Sequence, residues 1–206
     1  MFYRIEDSHG LPYNPFKALV APRPIGWIAT RGADGSENLA PYSYFNAVCD
    51  SPPIVMFASS GEKDTATFAR ESKAFVAHSV SQAMFDAMNG SSANFERGDS
   101  EIAAMGLRSE PATCVDAPRL VDAASALECV VTDIRHPLTK DGTEAGSTLV
   151  FGEVVAVHIR DDLITEEGRF DSEKAALMAR GGYMDYAVAR DLLTMARPKA
   201  PKKPGA

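Results

Sequence analysis

Pro53-Ile54-Val55-Met56-Phe57-Ala58-Ser59-Ser60-Gly61-Glu62-Lys63-Asp64-Thr65 is the stretch around which the chain is organised. Ile54 to Ala58 is a continuous apolar run, too short for a helix and rich in strand formers. Ser59-Ser60-Gly61 reads as a small polar loop, and Lys63-Asp64-Thr65 opens a segment with helical spacing in which Ala66, Phe68 and Ala69 are apolar. A strand that feeds a loop and a helix start gathers free backbone N–H groups at the positive end of the helix dipole. The hydroxyls of Ser59, Ser60 and Thr65 and the Lys63 ammonium add donors and charge, which together suit a phosphate monoester. The same residues also read as an ordinary helix start, with Asp64 or Ser60 as N-cap and Lys63 solvated. A Walker loop is excluded, because no Gly-Lys-Ser/Thr follows a glycine at the required distance.

Outward from this stretch, the upstream sequence is strand and turn. Residues 1–22 carry His9-Gly10-Leu11-Pro12 and Asn14-Pro15 and read as an N-terminal arm, with a turn of helix around Phe16 to Val20. Pro24 to Thr30 is a strand, Asp34-Gly35 supplies a hairpin turn, and Asn38 to Val48 returns as a partner strand or extended loop. Asp50-Ser51-Pro52-Pro53 stops it, since prolines cannot donate to a ladder.

Downstream, Ala74 to Val80 resumes a sheet pattern, and Ser81 caps a helix running to Met88. Asn89 to Arg119 breaks into a long polar loop, with room for a short helix over Ser100 to Met105. Ala126 to Ile134 and Thr148 to Ile159 are long strands joined by a turn at Asp141-Gly142, and Phe170 to Ala179 is expected as a helix. Several strands, short turns and no regular βαβ alternation predict a mainly β fold, a single antiparallel barrel with helical appendages. Residues 1–196 form that one domain, and the basic stretch 197–206 is expected to be a disordered tail.

Bulk composition excludes several classes of function. A net charge of −7 argues against binding duplex nucleic acid, and no apolar window is long enough to span a bilayer. Cys49, Cys114 and Cys129 are odd in number and widely spaced, and the first residues lack a signal-peptide pattern; both favour the cytoplasm. His9, His78, His136 and His158 form no metal-ligand pair, so no metal site is expected.

The order of motifs resembles one family. Arg23-Pro24-Ile25-Gly26-Trp27-Ile28-Ala29-Thr30, Asn38 through Asn46, Ser51-Pro52-Pro53 and Lys63-Asp64-Thr65 are similar to the flavin-reductase-like FMN-binding split barrels. Phe151-Gly152-Glu153-Val154 and Ala179-Arg180-Gly181-Gly182-Tyr183 extend the resemblance across roughly residues 15–190. It implies a six-stranded antiparallel split barrel, a homodimer, and FMN at the subunit interface. On the resemblance, Ser59, Ser60, Lys63, Asp64 and Thr65 take the FMN phosphate, and Arg23 and Arg180 add cofactor contacts. Ser43, Tyr44, Phe45 and Asn46 pass the edge of the isoalloxazine. Ser92, Asn94, Phe95 and Arg97 cover the flavin from the neighbouring subunit, or else form a solvated loop. No side chain is expected as a covalent catalyst, because the flavin carries the chemistry.

The resemblance implies an oxidoreductase that moves electrons from NAD(P)H through FMN to a small-molecule acceptor or a partner oxygenase. A flavin or electron carrier without its own NAD(P)H site is the alternative, and a barrel that has exchanged flavin for another phosphate-bearing ligand is a third. Two departures bear on the choice. Fast relatives carry Gly-Asp-His where this chain has Gly146-Ser147-Thr148, and many have asparagine where it has His78.

Overall fold

The computed structural model describes residues 1–198; the rest of the expected basic tail lies outside the described residues. A four-residue helix, α1 (Phe16–Leu19), precedes the strands β1 (Arg23–Pro24), β2 (Gly26–Arg31), β3 (Glu37–Tyr42), β4 (Phe45–Asp50) and β5 (Pro53–Ser60). Helix α2 (Asp64–Ser72) and strand β6 (Ala74–His78) follow, then α3 (Phe85–Gly90) and α4 (Glu101–Ala104). The chain continues through β7 (Ser109–Pro111), β8 (Pro118–Leu120), β9 (Ser125–Arg135) and β10 (Ser147–Ile159). It closes with α5 (Ser172–Ala175), β11 (Met178–Arg180) and β12 (Tyr186–Val188).

Seven strands form one curled antiparallel sheet in the order β3-β2-β6-β9-β10-β5-β4, and β1-β11-β12 form a small second sheet. The mainly β split barrel expected from the sequence is present, with one strand more than the six anticipated. The extra strand comes from the segment read as one return strand. Asn38 to Val48 breaks at Ser43-Tyr44, so β3 lies at one edge of the sheet and β4 at the other. Two residues of chain thus bridge the split.

Burial explains the central strands. Every residue of β6 is buried, and alternate residues serve two cores. Phe75 and Ala77 join Ile28, Val55, Phe57 and Val150 inside the barrel, whereas Val76 joins Trp27, Leu39, Met88 and Leu120 in the outer layer. Phe75 meets Phe57 edge to face, 5.3 Å between centroids. Gly152 makes room for Phe75, since a Cβ there would stand 2.5 Å from the ring.

Three elements differ from the sequence expectation. The helix expected over Phe170 to Ala179 is only Ser172–Ala175, capped by Asp171 and ended by Ala176 at φ +47°, because Met178–Arg180 pairs with both β1 and β12. Ser59 and Ser60 are not loop; they extend β5 opposite Thr148 and Ser147. The expected Ser81 helix begins as a 3-10 turn without a side-chain cap bond, and the long loop holds a β7–β8 hairpin besides α4.

Buried polar groups pin the outer layer. Glu128, fully buried, accepts from the backbone N–H groups of Thr113 (2.8 Å) and Cys114 (2.6 Å) and from His158 Nε2 (2.5 Å). His78 is enclosed between β2 and β8: Leu120 N–H donates to Nε2 (2.9 Å), so Nδ1 carries the proton and donates to the Trp27 carbonyl (2.9 Å). Burial pushes its pKa down to about 4. His78 is therefore a structural residue held neutral.

Between pH 6.5 and about 4 the unfolded state binds a proton at His78 that the folded state refuses, so stability present above pH 6.5 is lost as pH falls. The full shift corresponds to about 3 kcal/mol. Urea melts at pH 7 and pH 4.5 should show a smaller acid loss for His78→Asn than for the natural chain; equal losses would contradict the assignment.

Candidate functional site

Helix α2 starts without a side-chain cap. Its N-cap is Lys63, in extended conformation, rather than the expected Asp64 or Ser60. The N–H groups of the first turn therefore have no side-chain partner and lie beside a lysine, where an anion is favoured. They border a cavity of about 460 Å³ lined by Asn38, Tyr42, Lys63, Asp64, Thr65 and Glu101, with Ser91 to Phe95 opposite.

A buried chain of hydrogen bonds builds the floor. Thr65 Oγ1 donates to Asn38 Oδ1, and Asn38 Nδ2 donates to Glu101 Oε1 (2.7 Å). Glu101 Oε2 then accepts from the Leu39 N–H (2.9 Å). Burial raises the Glu101 pKa, opposed by the bonds from Leu39 and Asn38. The network ties α2, β3 and α4 together under the cavity. Arg97 reaches over Phe68, 5.2 Å from the ring centroid, to within 3.8 Å of Asp64.

A second cavity of about 390 Å³ adjoins the first, since Pro41 and Ser92 line both. It lies between α1, β1, the Ser43 crossing and the β11–β12 loop, with Arg23, Ser43, Arg180 and Tyr183 among its walls. Arg23 is buried and holds its surroundings. It donates to the carbonyls of Lys17 (2.5 Å), Val20 and Gly181 (3.1 Å), and to Ser43 Oγ (3.4 Å). Most of its donors therefore serve the backbone. Arg180 lies over the Tyr186 ring at 4.3 Å and donates to the Tyr183 carbonyl (2.5 Å).

The structure thus divides the residues singled out in the sequence. Lys63, Asp64 and Thr65 line the first cavity; Arg23, Ser43 and Arg180 line the second. Tyr44 is partly exposed at the crossing, 5.7 Å from the Arg23 guanidinium. Phe45 packs on Gly26, where a Cβ would stand 2.5 Å from the ring, and lines a separate apolar cavity with Ile25, Leu127 and Met178. Asn46 is exposed, its side-chain oxygen accepting from the Ala47 N–H (2.9 Å). Ser59 is fully buried and among the described residues its hydroxyl has no hydrogen-bond partner, while Ser60 is exposed at the end of β5; neither borders the two cavities.

Thr148, in the place of the family histidine, is buried and donates to Glu62 Oε1 (3.0 Å), so its hydroxyl is committed. Sequence reasoning gave no role to Lys17, Asn38 and Glu101. The Ser100-Glu101 pair announces a helix cap, but nothing in it tells that Glu101 turns inward. Among the described residues no group of three His, Cys, Asp or Glu is placed to hold a metal. Among them, too, no helix is long and apolar enough to cross a membrane.

Comparison with known proteins places this geometry in context. An uncharacterized protein of Deinococcus radiodurans is 33% identical over 90% of this chain and 84% of its own. Among solved structures, 2-nitrobenzoate 2-nitroreductase of Pseudomonas fluorescens matches all of both chains at 29% identity and a TM-score of 0.84. Nitrilotriacetate monooxygenase component B of Bacillus cereus matches 95% of this chain and 98% of its own at 27% identity and a TM-score of 0.85. The profile of the flavin reductase like domain matches residues 19–187, and the chain belongs to that family.

Proposed function

We propose that the protein is an FMN-binding oxidoreductase that takes electrons from NAD(P)H and passes them to a small-molecule acceptor or a partner protein. The observation that carries this reading is the uncapped start of α2 beside Lys63, opening on a cavity of a size suited to an organic cofactor and adjoined by a second. The donor set fits the phosphate: first-turn N–H groups of α2 and the Lys63 ammonium would hold it. Ser43, at the crossing between the two sheet edges, would meet the edge of the ring system, with Arg23 fixing the backbone there. Arg180 would stand beyond the ring, in the second cavity.

FMN, when bound, supplies a ring that accepts hydride and gives up electrons. The chain's own contribution is to bind, to orient and to exclude water, with no acid–base pair required. Free thiols at Cys49, Cys114 and Cys129 agree with a cytoplasmic setting. The nitroreductase relative supports a small-molecule acceptor, and the monooxygenase component supports a partner oxygenase. The committed Thr148 hydroxyl favours, as second reading, a flavin carrier without its own NAD(P)H site.

FMN is expected to bind at least about tenfold more tightly than riboflavin, the worth of one charge-assisted hydrogen bond. Lys63→Ala should weaken FMN and leave riboflavin unchanged. Fluorescence titrations giving equal affinities for the two flavins would overturn the phosphate seat.

Turnover of free FMN with NADH or NADPH is expected to fall at least about tenfold below the ~10 s⁻¹ typical of enzymes, because no histidine orients the nicotinamide. Steady-state oxidation of the nicotinamide measures this. Ordinary rates would remove the importance given to Gly146-Ser147-Thr148. No reduction at all, with bound flavin still bleached by dithionite, would favour the carrier.

The reading includes a homodimer. Edge strand β4 is exposed along nearly its whole length, and Val155, Val157 and Ile159 of β10 stand in solvent with Val130. A stable pair needs more than ~1,200 Å² of such surface. Light scattering should give twice the 22.1 kDa of the chain at micromolar concentration. A monomer that holds FMN would contradict the shared site.

A further inference from the structure

Three cations meet at the second cavity without a counter-ion. Lys17 comes from α1, Arg23 from β1 and Arg180 from β11, and among the described residues no carboxylate lines the space between them. Among the described residues none of the three forms an ion pair, in a chain of net charge −7 whose Arg31, Arg70, Arg108, Arg119 and Arg160 each hold a carboxylate. Arg23 is only 7% exposed. Its carbonyl partners solvate the guanidinium but leave its charge uncompensated, and a buried charge of that kind favours an anion beside it.

The remaining walls are ordered and partly aromatic. Arg180 is held over the Tyr186 ring and by the Tyr183 carbonyl, so its planar fork is preorganised. Tyr183 adopts φ +50°, a conformation that a bulky residue rarely takes and that gathers at ligand sites. Two backbone bonds hold it there, Gly181 N–H to the Asp185 carbonyl and Asp185 N–H to the Gly182 carbonyl, both 2.8 Å. Gly182 is pressed onto α1, where a Cβ would stand 2.3 Å from that of Ala18. Ile25, Pro41 and Met88 supply apolar surface.

We propose that this cavity binds an aromatic carboxylate, with the carboxylate on Arg180 and Lys17 and the ring against Tyr183, Tyr186 and Met88. A guanidinium fork matches a carboxylate in two parallel hydrogen bonds, and the aromatic walls add ring contacts that an oxyanion without a ring cannot make. The cavity shares Pro41 and Ser92 with the one at the start of α2, so the acid lies beside the flavin; that adjacency rests on the function proposed above, whereas binding of the acid does not.

Calorimetric titration of the full-length chain with benzoate, benzamide, acetate and inorganic phosphate tests the site. Benzoate should bind one per chain, at least about tenfold more tightly than neutral benzamide or ring-free acetate, and more weakly as salt rises. Arg180→Met and Lys17→Gln should each weaken benzoate about tenfold; Lys17 is exposed, so the second variant folds even where the first does not. Equal binding of benzoate and benzamide, tighter binding of phosphate than of benzoate, or an unchanged Lys17→Gln would overturn the proposal. FMN titration of the same samples separates the two readings. Benzoate binding without FMN binding upholds this site and removes the flavin, and FMN binding without benzoate binding does the reverse.

Discussion

Two strands that are consecutive in sequence lie at opposite edges of one sheet, and most of the molecule follows from that. Among the described residues β3 pairs only with β2 and β4 only with β5, so the chain leaves one edge at Tyr42 and joins the other at Phe45. Two residues cannot span a flat seven-stranded sheet, in which neighbouring strands are ~4.8 Å apart. The sheet must curl until its edges nearly meet. Ser43 and Tyr44 then sit over the split, and the Tyr44 carbonyl accepts from the Ala58 N–H of β5 (2.8 Å). The cavities lie beside this crossing because the curl leaves the outer face of β3 for α4 and the loop before it to cover.

Keeping the crossing in place falls to buried polar groups. Arg23 bonds Ser43 on one side and the Lys17, Val20 and Gly181 carbonyls on the other, so the crossing, the arm and the β11–β12 loop share one anchor. Removing that guanidinium would leave three carbonyls and a hydroxyl in poorly solvated positions, the costly half of a broken hydrogen bond. Thr65, Asn38 and Glu101 do the same for the floor. Each group has a donor or acceptor from a different element, which is why these side chains fix relative positions that apolar packing alone would leave adjustable.

Local signals made the strands legible. The Ile54 to Ala58 run, Asp34-Gly35 and the length of Thr148 to Ile159 each mark their element through side-chain chemistry that acts over a few residues. Met178–Arg180 was hidden, because three residues with helix-compatible side chains become a strand only when β1 and β12 are there to pair with them. Ser59 and Ser60 read as loop for the same reason: their ladder partners, Thr148 and Ser147, are far away in sequence. At the site, Lys63 and Arg180 were visible as cations. That Lys17 joins Arg180, and that Arg23 turns to backbone carbonyls, depends on how the arm folds back, which no spacing within the sequence encodes.

The two sides of the first cavity are held very differently. Its floor is the buried Thr65–Asn38–Glu101 chain that joins α2, β3 and α4, whose groups are satisfied by one another. Its opposite wall, Ser92 to Phe95, is fastened by backbone turns at Asn89 and Gly90 and by the Arg97–Asp64 pair, 3.8 Å apart with both side chains in part exposed to solvent. A surface pair of that kind contributes about 0–1 kcal/mol, less at physiological salt. Displacing the wall therefore costs far less than displacing the floor. A ligand entering the cavity would meet donors whose positions are already set, and the adjustment would fall on residues 92–97. Orientation would then be inherited from the sheet, with exclusion of water left to the loop.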